Sequence, residues 1–289
     1  MKITNLHNLP ESIVRAVAND PYDKGDADYS VSDLVNPPRM VHLRRRHDAI
    51  LSEDAADRIW SLLGQAVHTI LERAQVDNAL REERLFKIVW FQDDADGATD
   101  HRTVSSKTDL YHGHGLLQDY KVTSAWTAVF KSRNREWEEN LNMRASVLRA
   151  NGWPVTDLQI VAIYRDWSDT QAKRYPDYPQ KPAETVTIKT WPDAHATTFI
   201  HERLLTLVAS EQTPDDQLPE CTDDEVWAKP TTYAAMKVGR KSAVRVFDSE
   251  QEALAIVTSG KATHVEIRNG AHTRCERYCA AAPVCNQWA

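Results

Sequence analysis

Cysteine is scarce in this chain: there are four in 289 residues, and three of them fall within the last fifteen. That is too few for a disulfide scaffold, and the crowding at one end points to metal. Long apolar runs are missing as well. No stretch approaches the roughly 18 residues of a membrane-spanning helix. The amino terminus, MKITNLHNLPESIVRAV, has no basic start, apolar run and small-residue cleavage site of a signal peptide. A cytoplasmic protein with no membrane partner is expected. Internal repeats and low-complexity tracts are also absent.

An excess of positive charge is lacking too, since the formal net charge is −7. This excludes a generally sticky polycation but not nucleic-acid binding, which depends on local fields. Two local basic stretches exist: RMVHLRRRH (39–47) holds four arginines, and KPTTYAAMKVGRKSAVRVF (229–247) holds five basic residues and no acidic one. Lys237, Arg240 and Lys241 of the second are candidate nucleic-acid contacts, and a plain solvated charged face is the competing reading.

The composition that remains, 42% hydrophobic and 27% charged, is that of a globular chain long enough for a sizeable core. Residues 1–50 read as an irregular arm, with Asn36-Pro37-Pro38 disfavouring helix. From Glu53 to about Val76, Ile59, Leu62, Leu63, Val67, Ile70 and Leu71 recur every three or four residues and predict an amphipathic helix. Strand-like runs follow at 85–91, 103–112 and 116–122, separated by DDADGATD and by Gly113-His114-Gly115, as in a three-stranded meander. Helices are predicted at 124–131 and at 135–151, the second stopping at Asn151-Gly152. A buried strand at 158–167, a short strand at 184–191 and a helix at 193–211 complete a core spanning 51–213. The composition shifts after Pro214, so 214–289 reads as a satellite lobe.

The chemistry centres on Asp109 and Asp119-Tyr120-Lys121, carried on neighbouring strand candidates. A hairpin brings both carboxylates to one end of the sheet, and alternation turns Asp119 and Lys121 to one face. Two acids and a lysine beside Leu116, Leu117 and Val122 are costly to bury unless paired or metal-bound. Phosphodiester hydrolysis supplies a reason for them. Oxygen ligands hold Mg²⁺ or Mn²⁺, the ion polarises the phosphate and acidifies a water, and a lysine orients that water or offsets developing charge. A surface hairpin with an Asp–Lys pair is the alternative. On the preceding helix, His68 and Glu72 are four residues apart and share a face. Singly, they read as a satisfied core histidine and a solvated glutamate.

The order Gly64-x-x-x-His68 on a helix, then Asp109, then Asp119-x-Lys121 on a hairpin, then a helix with amide side chains, resembles the RecB-like and Cas4-like branch of the PD-(D/E)xK nucleases, over about residues 55–167. The resemblance implies a restriction-endonuclease-like α/β fold, a mixed central sheet flanked by helices. It implies His68, Asp109, Asp119 and the backbone carbonyl of Tyr120 as metal ligands and Lys121 as the catalytic lysine; Glu72, on the His68 face, and Asn140 are taken as further candidate catalytic residues. The family's glutamine and following tyrosine are replaced here by Asn140 and Arg144. Asparagine can order Lys121 or bind phosphate, and arginine can contact phosphate directly. The implied activity is that of a metal-dependent deoxyribonuclease, largely exonucleolytic among the relatives, on DNA that is single-stranded or has free ends. Trp126, Trp137 and Trp153 are candidates to stack on bases, with core packing as their alternative. The changed Asn140/Arg144 motif leaves open a catalytically weak DNA-binding protein that acts with a recombination or packaging partner.

Cys221 and Cys275-x3-Cys279-x5-Cys285 fit poorly the close paired spacing of a structural zinc site. They look more like the iron–sulfur staple of the same nucleases, although there the remote cysteine precedes the core and Cys221 follows it. A [4Fe–4S] cluster is the favoured occupant, followed by Zn²⁺ and then by free buried thiols. Either metal would make the lobe a metal-stapled one.

Overall fold

The computed structural model describes residues 1–20, 23–92 and 99–288. Most of the turn expected between the first two core strands lies outside these residues. The chain opens with β1 (Lys2–Thr4), α1 (Glu11–Ala18), β2 (Tyr29–Ser30), α2 (Val31–Val35) and α3 (Pro38–Arg46). The sequence predicts an irregular arm here, and the structure instead builds much of it into the core. Tyr29 and Ser30 pair with a central strand, and Leu34, Val41 and Leu43 are buried. The helix α2 starts where Ser30 and Asp33 form a reciprocal capping box. The prolines expected to disfavour helix open one: Pro38 is the first residue of α3, where a missing N–H costs nothing.

The core continues through β3 (Ser52–Asp54), α4 (Ile59–Glu72), β4 (Ala79–Gln92), β5 (Thr99–His112), β6 (Leu116–Thr123), α5 (Ala125–Phe130), α6 (Asn134–Ala150), β7 (Asp157–Tyr164), α7 (Asp169–Arg174), β8 (Ala183–Ile188) and α8 (Asp193–Ala209). A six-stranded sheet runs in the order β2-β5-β6-β7-β8, with β4 also paired to β5. The β2/β5 and β6/β7 pairs are parallel and the others antiparallel. The protein is therefore mixed α/β, with a central mixed sheet flanked by helices. Gly115 turns β5 into β6 at φ +105°, and a Cβ there would lie 2.6 Å from Thr156 Oγ1.

The helix α6 is central to the packing. Its Trp137, Leu141, Ala145 and Leu148 enter one apolar cluster with Tyr111, Leu117 and Ile160, while Met143 and Val147 enter a second with Ile200, Leu204 and Leu207 of α8. It ends with Asn151 as C-cap and Gly152 at φ +83°, as its sequence predicts. The helix α4 forms within its predicted stretch but has no buried residue, and Trp60 and Ile70 stay exposed.

The last 75 residues hold β9 (Ala228–Lys229), β10 (Thr232–Met236), β11 (Arg245–Phe247), α9 (Glu250–Thr258), β12 (His264–Arg268), β13 (Ala271–His272) and α10 (Thr273–Arg277). They form a three-stranded sheet, β11-β10-β12, and a two-stranded one, β13-β9. No described helix is long and apolar enough to cross a membrane.

Candidate metal centre

The strands β5 and β6 pair only from Leu110↔Gln118 to His112↔Leu116 and then part. Asp109 and Asp119 are the next residues on either side, at the fork. On the other edge of β5, pairing with β4 runs on both sides of Glu82 and Asp109 but is interrupted there, where Glu82 adopts φ +48°. That conformation is uncommon for a residue with a side chain. The two interruptions draw Glu82, Asp109 and Asp119 together across three neighbouring strands.

His68 of α4 completes the group. Its Nδ1 lies 3.4 Å from Glu82 Oε1 and 3.6 Å from Asp109 Oδ2, and its Nε2 lies 3.2 Å from the Tyr120 carbonyl oxygen. One ligand atom from each of His68, Glu82 and Asp109 falls within 4.8 Å of the others. The backbone N–H of Tyr120, left without a strand partner at the fork, donates to Asp109 Oδ2 at 2.9 Å.

Basic groups surround these acids. The Lys107 ammonium is 2.5 Å from Glu82 Oε2, and the Lys121 ammonium touches Asp119 Oδ2. Arg144 Nη1 is 3.4 Å from Asp119 Oδ1 and 3.7 Å from Asp109 Oδ1. Both Asp119 oxygens are buried, and nearby charge rather than aligned hydrogen bonds offsets them. Burial, and then the charge of Asp119, push the Asp109 carboxyl above its usual range. Burial pushes Asp119 the same way, but Lys121 and Arg144 together outweigh it and hold Asp119 low. The hydrogen bond to Glu82 raises His68 despite its burial. For Glu82, burial is outweighed by His68 and Lys107, so its carboxyl is held down.

The residues fit a hard divalent cation. Ionised oxygens converge on an imidazole whose two nitrogens both face acceptors, an arrangement otherwise met only by the doubly protonated ring. The backbone carbonyl of Tyr120 lies against the same ring. Asp119, expected as a ligand, stands outside the close trio and is paired with Lys121 and Arg144.

Asn140 lines a cavity with Asp119, Lys121, Arg144 and Trp137. Its Oδ1 accepts a 2.7 Å bond from Arg144 Nε, and Arg144 Nη1 donates to the Lys107 carbonyl at 2.5 Å. Arg144, expected at a phosphate, thus spends these donors inside the protein. Glu72, expected beside His68, is exposed at the last turn of α4, and its carbonyl accepts from Arg81. One helical turn carries it about 6 Å along the axis from His68. Trp137 is buried in the core, while Trp126 and Trp153 are partly exposed. Lys237, Arg240 and Lys241 are exposed on the loop between β10 and β11.

The sequence reading missed Glu82 and Lys107. A signal for Lys107 was present, since Lys107-Thr108-Asp109 on one strand mirrors Asp119-Tyr120-Lys121 on the next. Glu82 had only its place in the Glu82-Glu83 pair before the apolar run.

At the other end of the molecule, all four cysteines line one cavity with Arg39, Met40, Leu43, Ala281, Ala282, Gln287 and Trp288. The thiols are free. Burial pushes Cys221 up to about 12 and raises Cys275 and Cys279. Among the described residues, no three of the sulfurs gather within 4.8 Å of one another.

No family model matches the chain, and no curated protein matches it. A solved structure titled "Crystal structure of SSO0001" is similar to it at 13% identity and a TM-score of 0.45, covering 67% of this chain and 83% of that one.

Proposed function

We propose that the protein is a metal-dependent deoxyribonuclease of the PD-(D/E)xK type, with a restriction-endonuclease-like core, that hydrolyses DNA phosphodiester bonds from an end. The observation that carries this reading is the fork of β5 and β6. There Asp109, Asp119, the Tyr120 carbonyl and Lys121 meet His68 and Glu82, and three acids, an imidazole and a lysine held on one of those acids supply the ligands and the cation that metal-assisted phosphodiester hydrolysis uses. Mg²⁺ or Mn²⁺ held by His68, Glu82 and Asp109, with Asp119 beside them, would polarise a phosphate and acidify a water.

The chain's own groups do the rest. Lys121, one third exposed and anchored on Asp119, orients the attacking water or offsets charge as it develops on the phosphate. Tyr120 N–H and His68 fix the Asp109 carboxylate. Asn140 holds Arg144, whose guanidinium keeps the two aspartates from repelling each other.

The test is hydrolysis of end-labelled single- and double-stranded DNA in Mg²⁺ and Mn²⁺. Metal-dependent cleavage should fall by on the order of 10²-fold or more in Lys121→Ala. Undiminished activity in that variant, or no cleavage of any DNA, would overturn the reading. A second reading, a DNA-binding protein of the same fold with weak turnover, draws on Arg144, which sits against both aspartates and competes with a cation for them. Tight DNA binding with no cleavage in either metal would select it.

The four cysteines are proposed to hold a [4Fe–4S] cluster, with Zn²⁺ as the alternative. In a tetrahedral zinc site with bonds of about 2.3 Å, sulfurs stand roughly 3.8 Å apart, closer than the grouping around this cavity. Brown protein with broad visible absorption supports iron and sulfur, and colourless protein with stoichiometric zinc reverses the choice.

A further inference from the structure

Arg39 is a buried cation whose contacts are all with neutral oxygens. It is 2% exposed on α3. Its Nε donates to the Pro219 carbonyl at 3.1 Å, and its Nη1 donates to the Asp215 carbonyl at 3.4 Å and to Asn286 Oδ1 at 2.5 Å. Its Nη2 donates to the Leu218 carbonyl. Among the described residues it makes no ion pair. Two arginines in the last turn of α3 differ: Arg45 pairs with Asp33, and Arg46 pairs with Asp215.

Hydrogen bonds to carbonyls satisfy a guanidinium's donors but not its charge, and a buried charge without an opposite one is among the costliest features a fold can carry. Arginine cannot escape by losing its proton. A buried guanidinium of this kind calls for an anion, and the cavity that Arg39 lines is walled by Cys221, Cys275, Cys279 and Cys285. Four thiols are neutral. Four thiolates around either a [4Fe–4S] core or Zn²⁺ carry a net double negative charge.

We propose that Arg39 is the counter-charge of an anionic metal–thiolate group held by these four cysteines. The proposal rests on the reading that they hold metal, and it makes Arg39 a positioning residue for that group. It gives a use to a buried cation on a core helix whose side chain lines a cavity with Met40, Leu43 and Trp288. It also ties the lobe to the candidate metal centre. Just before α3, Val35 and Asn36 line the cavity that holds Asp119 and Lys121, so the segment fixed by the metal–thiolate group is continuous with a wall of that cavity.

The experiment compares full-length wild type, Arg39→Met, Arg39→Lys and the carboxylate-paired control Arg46→Met, after metal and sulfide analysis of each. In Arg39→Met the group should be stripped by a chelator at least tenfold faster. If it is an iron–sulfur cluster, its reduction potential should fall, because the added electron loses a neighbouring positive charge. Arg39→Lys keeps the charge and loses the fork of hydrogen bonds, so it should restore both properties. Arg46→Met should leave both unchanged. After stripping, Arg39→Met should unfold no more easily than stripped wild type. A lysine variant as impaired as the methionine one would overturn the proposal in favour of a purely structural role. So would an equal loss of stability with and without metal. Wild type carrying neither iron nor zinc would overturn it as well, and would leave the nuclease assay to stand or fall separately.

Discussion

Glu82 and Glu72 separate what the sequence pattern suggested from what the backbone does. Glu72 shares a helix face with His68 in projection, yet it ends α4 exposed to solvent. Glu82 comes within 3.4 Å of the His68 ring because β4 turns to φ +48° there. A left-handed residue of this kind costs on the order of 1–3 kcal/mol and persists where the surroundings over-determine it, as functional sites do. Removing the Glu82 charge should weaken Mn²⁺ binding by roughly tenfold or more, the scale seen when groups supporting a metal site are lost. Titration of Mn²⁺ by calorimetry should show this for Glu82→Gln and no change for Glu72→Gln. A larger effect at Glu72 would mean that the ion lies elsewhere. Asp109, Asp119, Lys121 and His68 were singled out because their order along the chain resembles the nuclease pattern, while strand alternation and the four-residue helical repeat gave only their faces. Glu82 was not, because nothing in REERLFKIVWF announces a single left-handed residue opposite Asp109.

At the scale of elements, α3 shows how a charge run misleads. RMVHLRRRH looks like a nucleic-acid face, yet most of its described contacts run inward, to the carboxyl end of α8 and the chain that follows it. His42 Nε2 is 2.9 Å from the Leu207 carbonyl. Arg46 donates to the carbonyls of Ser210, Glu211 and Thr213 and to Asp215, and His47 bonds Asp215 at 2.6 Å. These oxygens lie at and just beyond the carboxyl end of α8, where the last helical carbonyls and the negative end of the helix dipole favour cations. Sequence periodicity located α8 and α6 well, but a run of arginines reads the same whether it meets solvent or a helix end. Burial lowers the His42 imidazole below its usual 6.5. The unfolded chain therefore takes up this proton first as pH falls, and stability is lost below about 6.5 until the folded value is passed. His42→Gln keeps a donor for Leu207 without titrating. Its melting temperature should vary less than wild type between pH 7.5 and pH 5, and parallel curves would assign the loss to other groups. The carboxylates Glu211 and Asp215, held low by their partners, act in a separate window below pH 4.5.

For the whole molecule, the decisive matter is whether the first fifty residues are an appendage. Their polar, proline-punctuated sequence reads as an arm, because short elements such as the two-residue β2 and the five-residue α2 leave no periodic signature. Packing gives the opposite answer. Tyr29, Val31, Leu34, Val41 and Leu43 are 0–5% exposed. At about 1.5–3 kcal/mol for each fully buried large apolar side chain, the five together contribute about 7–15 kcal/mol. That matches the entire stability of an ordinary domain, about 5–15 kcal/mol. The same segment carries Arg39, His42 and Arg46, so its loss would also strip the caps of α8 and the cation beside the cysteines. A chain beginning at residue 51 should therefore show no cooperative thermal transition and should lose the near-ultraviolet dichroism of Trp137 and Trp191, both buried in the intact protein. A sharp transition from that truncated chain would mean that residues 51–213 and the lobe carry enough core by themselves, and that the first segment is the arm its sequence resembles.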